Sequence, residues 1–538
     1  MTDTVWEAFQ ASAGRNQALP FLHIPRQATA HYGGLPVDIS YGAAVHQIQA
    51  LATRYRRAGY GAGHRVALVL ENRAEFFLHF LALNSIGASI VPVNAEIPPA
   101  DMQYIIRHSD ACVVIALPEY CQKVAGVLGE AAPPVVASNC DAPFPALVVR
   151  AAGHAGLQSE VALLYTSGTT GQPKGCMLSN DYFLCVGNWY MNLGGYCELR
   201  PGQERLITPL PLVHMNALAS SFMGMVMSGG CLIQLDRFHA STWWETVRES
   251  RATCLHYLGV MPAILLNQPE TSAARLSNQV RFGFGAGSDP RHQERFEKRF
   301  GFPLIEGWAM TETGTEVCIC AQHEPRNLGK RCIGRPTGPI EYRLVDEAGR
   351  DVAANQPGEL LIRTKGADTR KGFFSGYYKD AEATVAAWEG GYFHTGDVMR
   401  VDQDGLFYFV DRRKNIIRRS GENIAAVEVE GIMLQHPALA ACAVAPVADE
   451  IRGEEVAACI VLNPGAMPGP ELARELFDYG NERMIYYKAP GYILFLDQLP
   501  MTASQKIQRG EVKKLTQSRV EQEDCFDMRE RKRGDKRR

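Results

Sequence analysis

Between residues 66 and 116, short apolar runs alternate with stretches whose apolar positions recur at helical spacing. This rhythm restricts the fold more than any other feature of the chain. Residues 66–70 suit a strand buried on both faces. Asn72 is placed to cap the helix that follows, whose apolar positions are Phe76, Phe77, Phe80 and Leu83. Gly87 closes that helix, and residues 88–92 return as a second strand. A helix through residues 104–108 then leads to a third strand at residues 112–116. Strands alternating with helices build parallel sheets covered on both faces, so the expected class is α/β.

At 538 residues the chain exceeds an ordinary single core, which predicts two or three domains. The pattern changes after Asp411. Beyond it come strands at 441–446 and 455–462, a helix at 471–484 and a last strand at 492–496. The expected division is residues 1–411 and 412–538, jointed at Asp411-Arg412-Arg413-Lys414-Asn415. A net charge of −3 gives no bias toward nucleic acid. The basic tail, RERKRGDKRR after Met528, reads as a solvated, disordered terminus from about residue 525 rather than a nucleic-acid arm.

The 14 cysteines include no CxxC pair and no Cys/His cluster at zinc spacing. Cys318-Ile319-Cys320 reads as part of a strand. Reduced core thiols predict a cytoplasmic location. The polar start MTDTVWEAFQ is not that of a signal peptide. No run approaches the roughly 18 apolar residues of a spanning helix, so no integral membrane segment is expected.

The segment richest in chemistry is Leu164-Tyr165-Thr166-Ser167-Gly168-Thr169-Thr170-Gly171-Gln172-Pro173-Lys174-Gly175. An apolar run at 161–165 feeds a turn with three glycines, four hydroxyls and one lysine. Glycine lets backbone approach a ligand closely. The N–H groups and hydroxyls from Thr166, Ser167, Gly168, Thr169 and Thr170 can surround phosphate oxygens, and Lys174 adds positive charge. The string lacks GxxxxGK[ST], so it is not a Walker loop. On composition alone, a flexible hairpin loop fits equally well.

In its order of residues the loop resembles the signature of the adenylate-forming (AMP-binding) superfamily. That group includes acyl-CoA ligases, peptide-synthetase adenylation domains and luciferases. Further segments resemble its other motifs in sequence order, from about Trp6 to Lys514. Pro209-Leu210-Pro211-Leu212-Val213-His214 resembles the PLxH segment, which implies that His214 borders the acyl pocket. Phe284-Gly285-Ala286-Gly287-Ser288 resembles the small-residue turn along the adenine ring. Glu306-Gly307-Trp308-Ala309-Met310-Thr311-Glu312-Thr313 resembles the YGxTE motif, with Trp-Ala in place of Tyr-Gly. The resemblance implies that Glu306, Gly307, Trp308, Ala309 and Met310 flank the nucleotide, with Trp308 stacked on adenine. It implies that Thr311 binds the α-phosphate and that Glu312, with Thr166, holds Mg²⁺.

Tyr392-Phe393-His394-Thr395-Gly396-Asp397 resembles the TGD motif, which implies that Asp397 accepts the ribose hydroxyls. Arg412 is expected to reach the ribose too, and Asn415 takes a hinge position usually held by Asp or Lys. Residues 499–509 resemble the C-terminal lysine motif, with Gln505 in place of the usual glycine and Lys506 in register as the catalytic lysine. The implied fold is a large N-terminal domain of parallel-rich sheets covered by helices plus a distorted barrel. A small mobile α+β C-terminal domain completes it.

The implied activity is that of an ATP-dependent acyl-CoA ligase, most like the crotonobetaine/carnitine–CoA ligase group. Its cofactors are ATP, CoA and Mg²⁺, its partners a small carboxylic acid and CoA, and its state a monomer or homodimer. Arg418, Arg419, Ser420 and Gly421 are expected to meet CoA, although a solvated basic face accounts for the two arginines equally well. Trp189, Met215, Asn216, Tyr257, Gly259 and Ala309 are expected to line the acyl pocket. Their few charges predict an apolar or weakly polar acid. Loading of a carrier protein, a luciferase-like oxidase and a catalytically silent nucleotide binder are the alternatives. Intact Glu312, Asp397 and Lys506 weigh against the last.

Overall fold

The computed structural model describes residues 2–129, 132–147, 153–166, 172–269, 278–420, 422–501, 507–522 and 524–534. The chain forms two compact units, Met1–Tyr342 with Ile362–Phe393 and Arg343–Leu361 with His394–Arg538. Among the described residues no helix is long and apolar enough to cross a membrane.

In the larger unit, the strand Arg65–Val69 lies between Ser89–Pro92 and Val113–Ala116, and all three run parallel. Val66, Ala67, Leu68 and Val69 are fully buried, as expected of a strand covered on both faces. Glu160–Thr166 joins this sheet through the pair Ile90 and Ala162. It then reverses into the antiparallel strand Lys174–Ser179, which sets Thr166 opposite Lys174. A short strand, Gly376–Tyr377, adds to the outer side, with Tyr377 opposite Cys176. Residues far apart in sequence thereby meet at the mouth of the glycine-rich hairpin.

The expected helix is present at Ala74–Asn84, but Asn72 does not cap it; the N-cap is Arg73 and no side chain makes the capping bond. The Asn72 amide instead donates to the carbonyls of Leu210 at 3.1 Å, Leu235 at 2.9 Å and Asp236 at 3.2 Å. Its carbonyl accepts from Leu212 N at 3.0 Å. A buried carboxamide with two donors and an acceptor satisfies more backbone this way than one cap bond does.

The second sheet of this unit contains a parallel run through Cys231–Gln234, Arg205–Thr208, Cys254–Leu258, Phe282–Ala286 and Leu304–Met310. Gly314–Cys320 follows antiparallel to the last. Cys318, Ile319 and Cys320 are all buried there.

The smaller unit centres on a long hairpin, Leu439–Asp449 with Gly453–Leu462. Tyr492–Phe495 lies parallel to the second arm. The helices Ala426–Met433 and Pro470–Arg483 bury Val429, Met433, Leu476 and Phe477 against Ile417, Ile424 and Ile493. The basic tail departs from expectation. Cys525–Asp527 is an edge strand antiparallel to Tyr492–Phe495, and Arg529–Gly534 is helical. Among its described residues, three cations pair with specific carboxylates of the same unit. Arg529 contacts Asp449 at 3.1 Å, Arg531 contacts Asp478 at 2.8 Å and Lys532 contacts Glu455 at 2.6 Å.

Candidate active site

Three expected residues and one unexpected residue converge beside the glycine-rich hairpin. Residues 167–171, which include Ser167, Gly168, Thr169 and Thr170, lie outside the described residues. Their flanks are ordered as a ladder, so Thr166 and Lys174 face each other across the two arms. The Lys174 ammonium lies 4.9 Å from the Tyr377 ring centroid and 3.3 Å from Asp380 Oδ2. The Tyr377 hydroxyl donates to Glu312 Oε1 at 3.0 Å. Burial, then the charge of Glu312, pushes the Tyr377 phenol well above its ordinary range, so it remains a donor. Glu312 is buried in the turn between Leu304–Met310 and Gly314–Cys320, and half-buried Thr311 precedes it there. The result is a carboxylate, a hydroxyl and an ammonium at the loop mouth, a set able to orient a polyphosphate and a hard cation.

Tyr377 has no local sequence signal. It lies 65 residues from Glu312, and only the pairing of Gly376–Tyr377 with the hairpin strand brings it there.

Glu306 serves the adjoining turn. Its carboxylate accepts from Gly287 N at 2.8 Å, Ser288 N at 3.2 Å and the Tyr257 hydroxyl at 2.6 Å. Burial raises the Glu306 carboxyl, and these donors oppose the rise. Glu306 therefore shapes the turn through Ala286 and Gly287, both exposed, rather than presenting a free carboxylate. Glycine is required on both sides. A Cβ on Gly259 would stand 1.7 Å from Gly287 O, and one on Gly285 would stand 2.3 Å from Tyr257 O. A Cβ on Gly307 would stand 2.8 Å from the Phe284 ring. Trp308 is buried, while Ala309 and Met310 are half-buried.

The expected acyl-pocket residues divide into two groups. Trp189 is buried with its indole N–H on Thr337 Oγ1 at 2.7 Å, and Tyr257 is buried with its hydroxyl on Glu306. Both hydroxyl- or N–H-bearing rings are thus turned to partners inside the unit. His214, Met215, Asn216 and Gly259 are half-buried and lie nearer the surface. Asn216 begins a π-helical turn, Asn216–Ser221, a form frequent at functional sites.

A buried histidine, absent from the sequence-based expectations, orders that turn. His256 Nδ1 lies 2.7 Å from Ser221 Oγ and 3.1 Å from Asn216 Oδ1, and Nε2 lies 2.8 Å from the Tyr190 hydroxyl. Ser221 Oγ in turn donates to Asn216 O at 3.1 Å. One tautomer satisfies the set: Nδ1–H donates to Ser221 and Asn216, and Nε2 accepts from Tyr190. Burial pushes His256 down to about 3, so the ring is neutral.

In the smaller unit, Asp397 is buried and faces Arg412 across an antiparallel pair, with Arg412 Nε 3.3 Å from Asp397 Oδ1. Asn415 ends a short 3₁₀ turn, Arg413–Asn415, and donates to Asp411 Oδ1 at 3.1 Å. Arg418 is about half exposed and pairs with Glu347 at 2.8 Å. Arg419 corrects the sequence-based expectation. It is 2% exposed and its Nε donates to both oxygens of Glu455, at 2.9 and 2.8 Å. It therefore belongs neither to a solvated basic face nor to a set of outward phosphate ligands. Ser420 is exposed with φ of 52°. Gly421 and Lys506 lie outside the described residues.

Comparison with known proteins agrees with this geometry. The AMP-binding enzyme family matches residues 23–378, and the AMP-binding enzyme C-terminal domain matches 428–506. A crotonobetaine/carnitine–CoA ligase of Citrobacter koseri is 30% identical over 500 residues, covering 89% of this chain and 94% of the relative. A sulfoacetate–CoA ligase of Cupriavidus necator is 31% identical over 487 residues, covering 88% and 91%. The fold is also that of an o-succinylbenzoate CoA synthetase from Bacillus subtilis, solved with its acyl-adenylate intermediate. That structure aligns with a TM-score of 0.80 at 23% identity, covering 95% of this chain and 99% of that one. Matched over most of its length by sequence and by fold, the chain belongs to the AMP-binding enzyme family.

Proposed function

We propose that this enzyme is an ATP-dependent acid–thiol ligase that forms an acyl-adenylate and then passes the acyl group to CoA. The observation that carries the reading is the convergence of Glu312, Tyr377 and Lys174 where Thr166 and Lys174 open the glycine-rich loop. In the first step a carboxylate oxygen of the acid attacks the α-phosphorus of ATP, and the bond to pyrophosphate breaks. Positioning and charge neutralisation dominate such a transfer. Lys174 is assigned to the phosphates, Thr311 to the α-phosphate, and Asp397 with Arg412 to the ribose. Glu312, with the Thr166 hydroxyl, supplies the oxygen donors that suit Mg²⁺ when substrate phosphates complete its shell. Bound magnesium would neutralise charge on the departing pyrophosphate. Lys506 is assigned to bridge the carboxylate and the α-phosphate.

In the second step the CoA thiolate attacks the acyl carbonyl, and AMP leaves with the electron pair of the broken C–O bond. Arg418, Ser420 and Gly421 are assigned to the CoA side. The chain beyond Asp411 is assigned the movement between steps, with residues 411–415 as its hinge.

Met215, Asn216 and Ala309 carry no charge, which supports an apolar or weakly polar acid. Crotonobetaine, carnitine and sulfoacetate, the acids of the named relatives, belong in the first panel tested. All fourteen cysteines are free thiols, which supports a reducing compartment such as the cytoplasm. ATP–pyrophosphate exchange with an acid panel tests the first step, and CoA-dependent AMP release tests the second. Absence of exchange with every acid contradicts the reading, as does preference for a dicarboxylate contradict the pocket assignment.

A further inference from the structure

Half-buried Asn216 is turned, by the residues beneath it, to present hydrogen-bond donors and no side-chain acceptor. The cause starts at Tyr190, on the helix Asn180–Asn192. Its hydroxyl is fully buried, and burial holds the phenol well above its ordinary range, so it keeps its proton. Among the described residues its one hydrogen-bond partner is His256 Nε2 at 2.8 Å. A buried hydroxyl needs an acceptor, so Nε2 is the lone-pair nitrogen and Nδ1 bears the hydrogen. Nδ1–H then faces Ser221 Oγ at 2.7 Å and Asn216 Oδ1 at 3.1 Å. Turned over, the Asn216 carboxamide would set its N–H₂ against the ring N–H, donor against donor. Oδ1 therefore points inward, and the two Nδ2 hydrogens have no partner among the described residues.

The network is rigid as well as oriented. His256 lies on the strand Cys254–Leu258, with its ring between Tyr190, stacked at 5.6 Å between centroids, and Phe284, edge-on at 5.4 Å. Gly224 makes room for the tyrosine, since a Cβ there would stand 2.5 Å from Tyr190 Cδ1. The Ser221 hydroxyl directs its own hydrogen to Asn216 O at 3.1 Å, which ties the backbone of the same residue. A carboxamide ordered in advance loses less freedom when it binds. Tyr190, Ser221, Asn216 and the neutral His256 ring carry no charge, so the donors suit a neutral oxygen better than a second carboxylate.

We propose that Asn216 is a specificity-determining residue for acids that carry a second, uncharged oxygen, hydroxyl or carbonyl, on the acyl group, with His256 as its positioning residue. The inference rests on the assignment of Asn216 to the acyl pocket and names the class of acid within it. Nδ2–H donates to a lone pair of that oxygen. An acid with only hydrogen at that place leaves the donors unpaired, which is how a hydrogen-bonding site rejects an analogue. His256 touches no substrate; its N–H holds Oδ1 and so aims Nδ2.

Matched acids test the assignment: butanoate against β- and γ-hydroxybutanoate, pentanoate against levulinate, and benzoate against meta- and para-hydroxybenzoate. kcat/KM in ATP–pyrophosphate exchange is measured for the unaltered enzyme, Asn216→Leu and His256→Phe, with a melting curve for each. Expected is at least one oxygen-bearing acid favoured over its parent by about tenfold or more, a ratio that Asn216→Leu brings to within about twofold of unity and His256→Phe lowers at least about threefold. A ratio taken within one protein cancels a general loss of activity, so a merely structural role for His256 leaves it unmoved. Parent acids used as well as their partners in every pair overturn the proposal, and so does a preference that survives Asn216→Leu. An intact preference in folded His256→Phe overturns the positioning role; where that variant fails to fold, Asn216→Leu decides. Failure of the underlying functional reading looks different, because the unaltered protein then shows no exchange with any acid.

Discussion

The Tyr377 hydroxyl donates a hydrogen bond to Glu312 Oε1 at 3.0 Å, joining residues 65 positions apart in the chain. On the proposed reading, this bond orients the carboxylate toward the magnesium and phosphate charge of ATP. Glu312→Gln is expected to slow adenylate formation about 100- to 1000-fold, the size seen when a preorganised electrostatic group is lost. Tyr377→Phe leaves the charge but frees its orientation, so a loss of about tenfold is expected. Pyrophosphate-exchange rates check both, with melting curves to show that each variant is folded.

Tyr257 and Glu306 predict a stability effect at the turn through Ala286 and Gly287, which the proposed reading assigns to adenine. Tyr257→Phe deletes the 2.6 Å donor and leaves a buried carboxylate with one bond fewer. The expected destabilisation is about 1–3 kcal/mol, measurable by urea unfolding. The KM for ATP should rise as well, because the same carboxylate holds the N–H groups of Gly287 and Ser288.

Gly259→Ala forces a methyl to within 1.7 Å of Gly287 O, so one of the two segments must move. Overpacking at a rigid backbone contact costs about 1–3 kcal/mol, occasionally more. The expected result is a lowered melting temperature together with weakened ATP binding, followed by calorimetry.

Two buried histidines predict an acid-side loss of stability. His256 and His79 are each pushed down to about 3, from an ordinary value of 6.5, with burial as the main cause. A histidine whose folded value is depressed binds more protons when unfolded. Stability is therefore full above pH 6.5 and falls as pH drops toward 3. Between about pH 6 and 5 the slope should approach 1.4 kcal/mol per pH unit for each ring. Urea unfolding at stepped pH checks the slope, and His256→Gln should reduce it by about one proton's worth.

The periodic elements were legible because their signal is local. The strand expected at 66–70 is observed at Arg65–Val69, and the helix expected at 471–484 is observed at Pro470–Arg483. Long-range partners were not legible. Asn72 carries the composition of a helix cap, yet carbonyls of Leu210, Leu235 and Asp236 claim it. Arg419 and Lys532 sit in basic runs that read as solvated, yet Glu455 draws both inside. Tyr377 and His256 follow no spacing rule, because their roles arise only when strands from distant segments pair. Motif order pointed to Glu312, Asp397 and Arg412, whereas burial revealed that Glu306 and Tyr257 act as supports.

The most direct test of the central claim is AMP release by the purified protein with ATP, magnesium and a panel of short, medium, aromatic and cyclic acids, each with and without CoA. At least one acid is expected to support pyrophosphate exchange without CoA and stoichiometric AMP and acyl-CoA formation with it, both abolished by Lys506→Ala. Nucleotide binding without exchange for any acid, or undiminished turnover in Lys506→Ala, would contradict it.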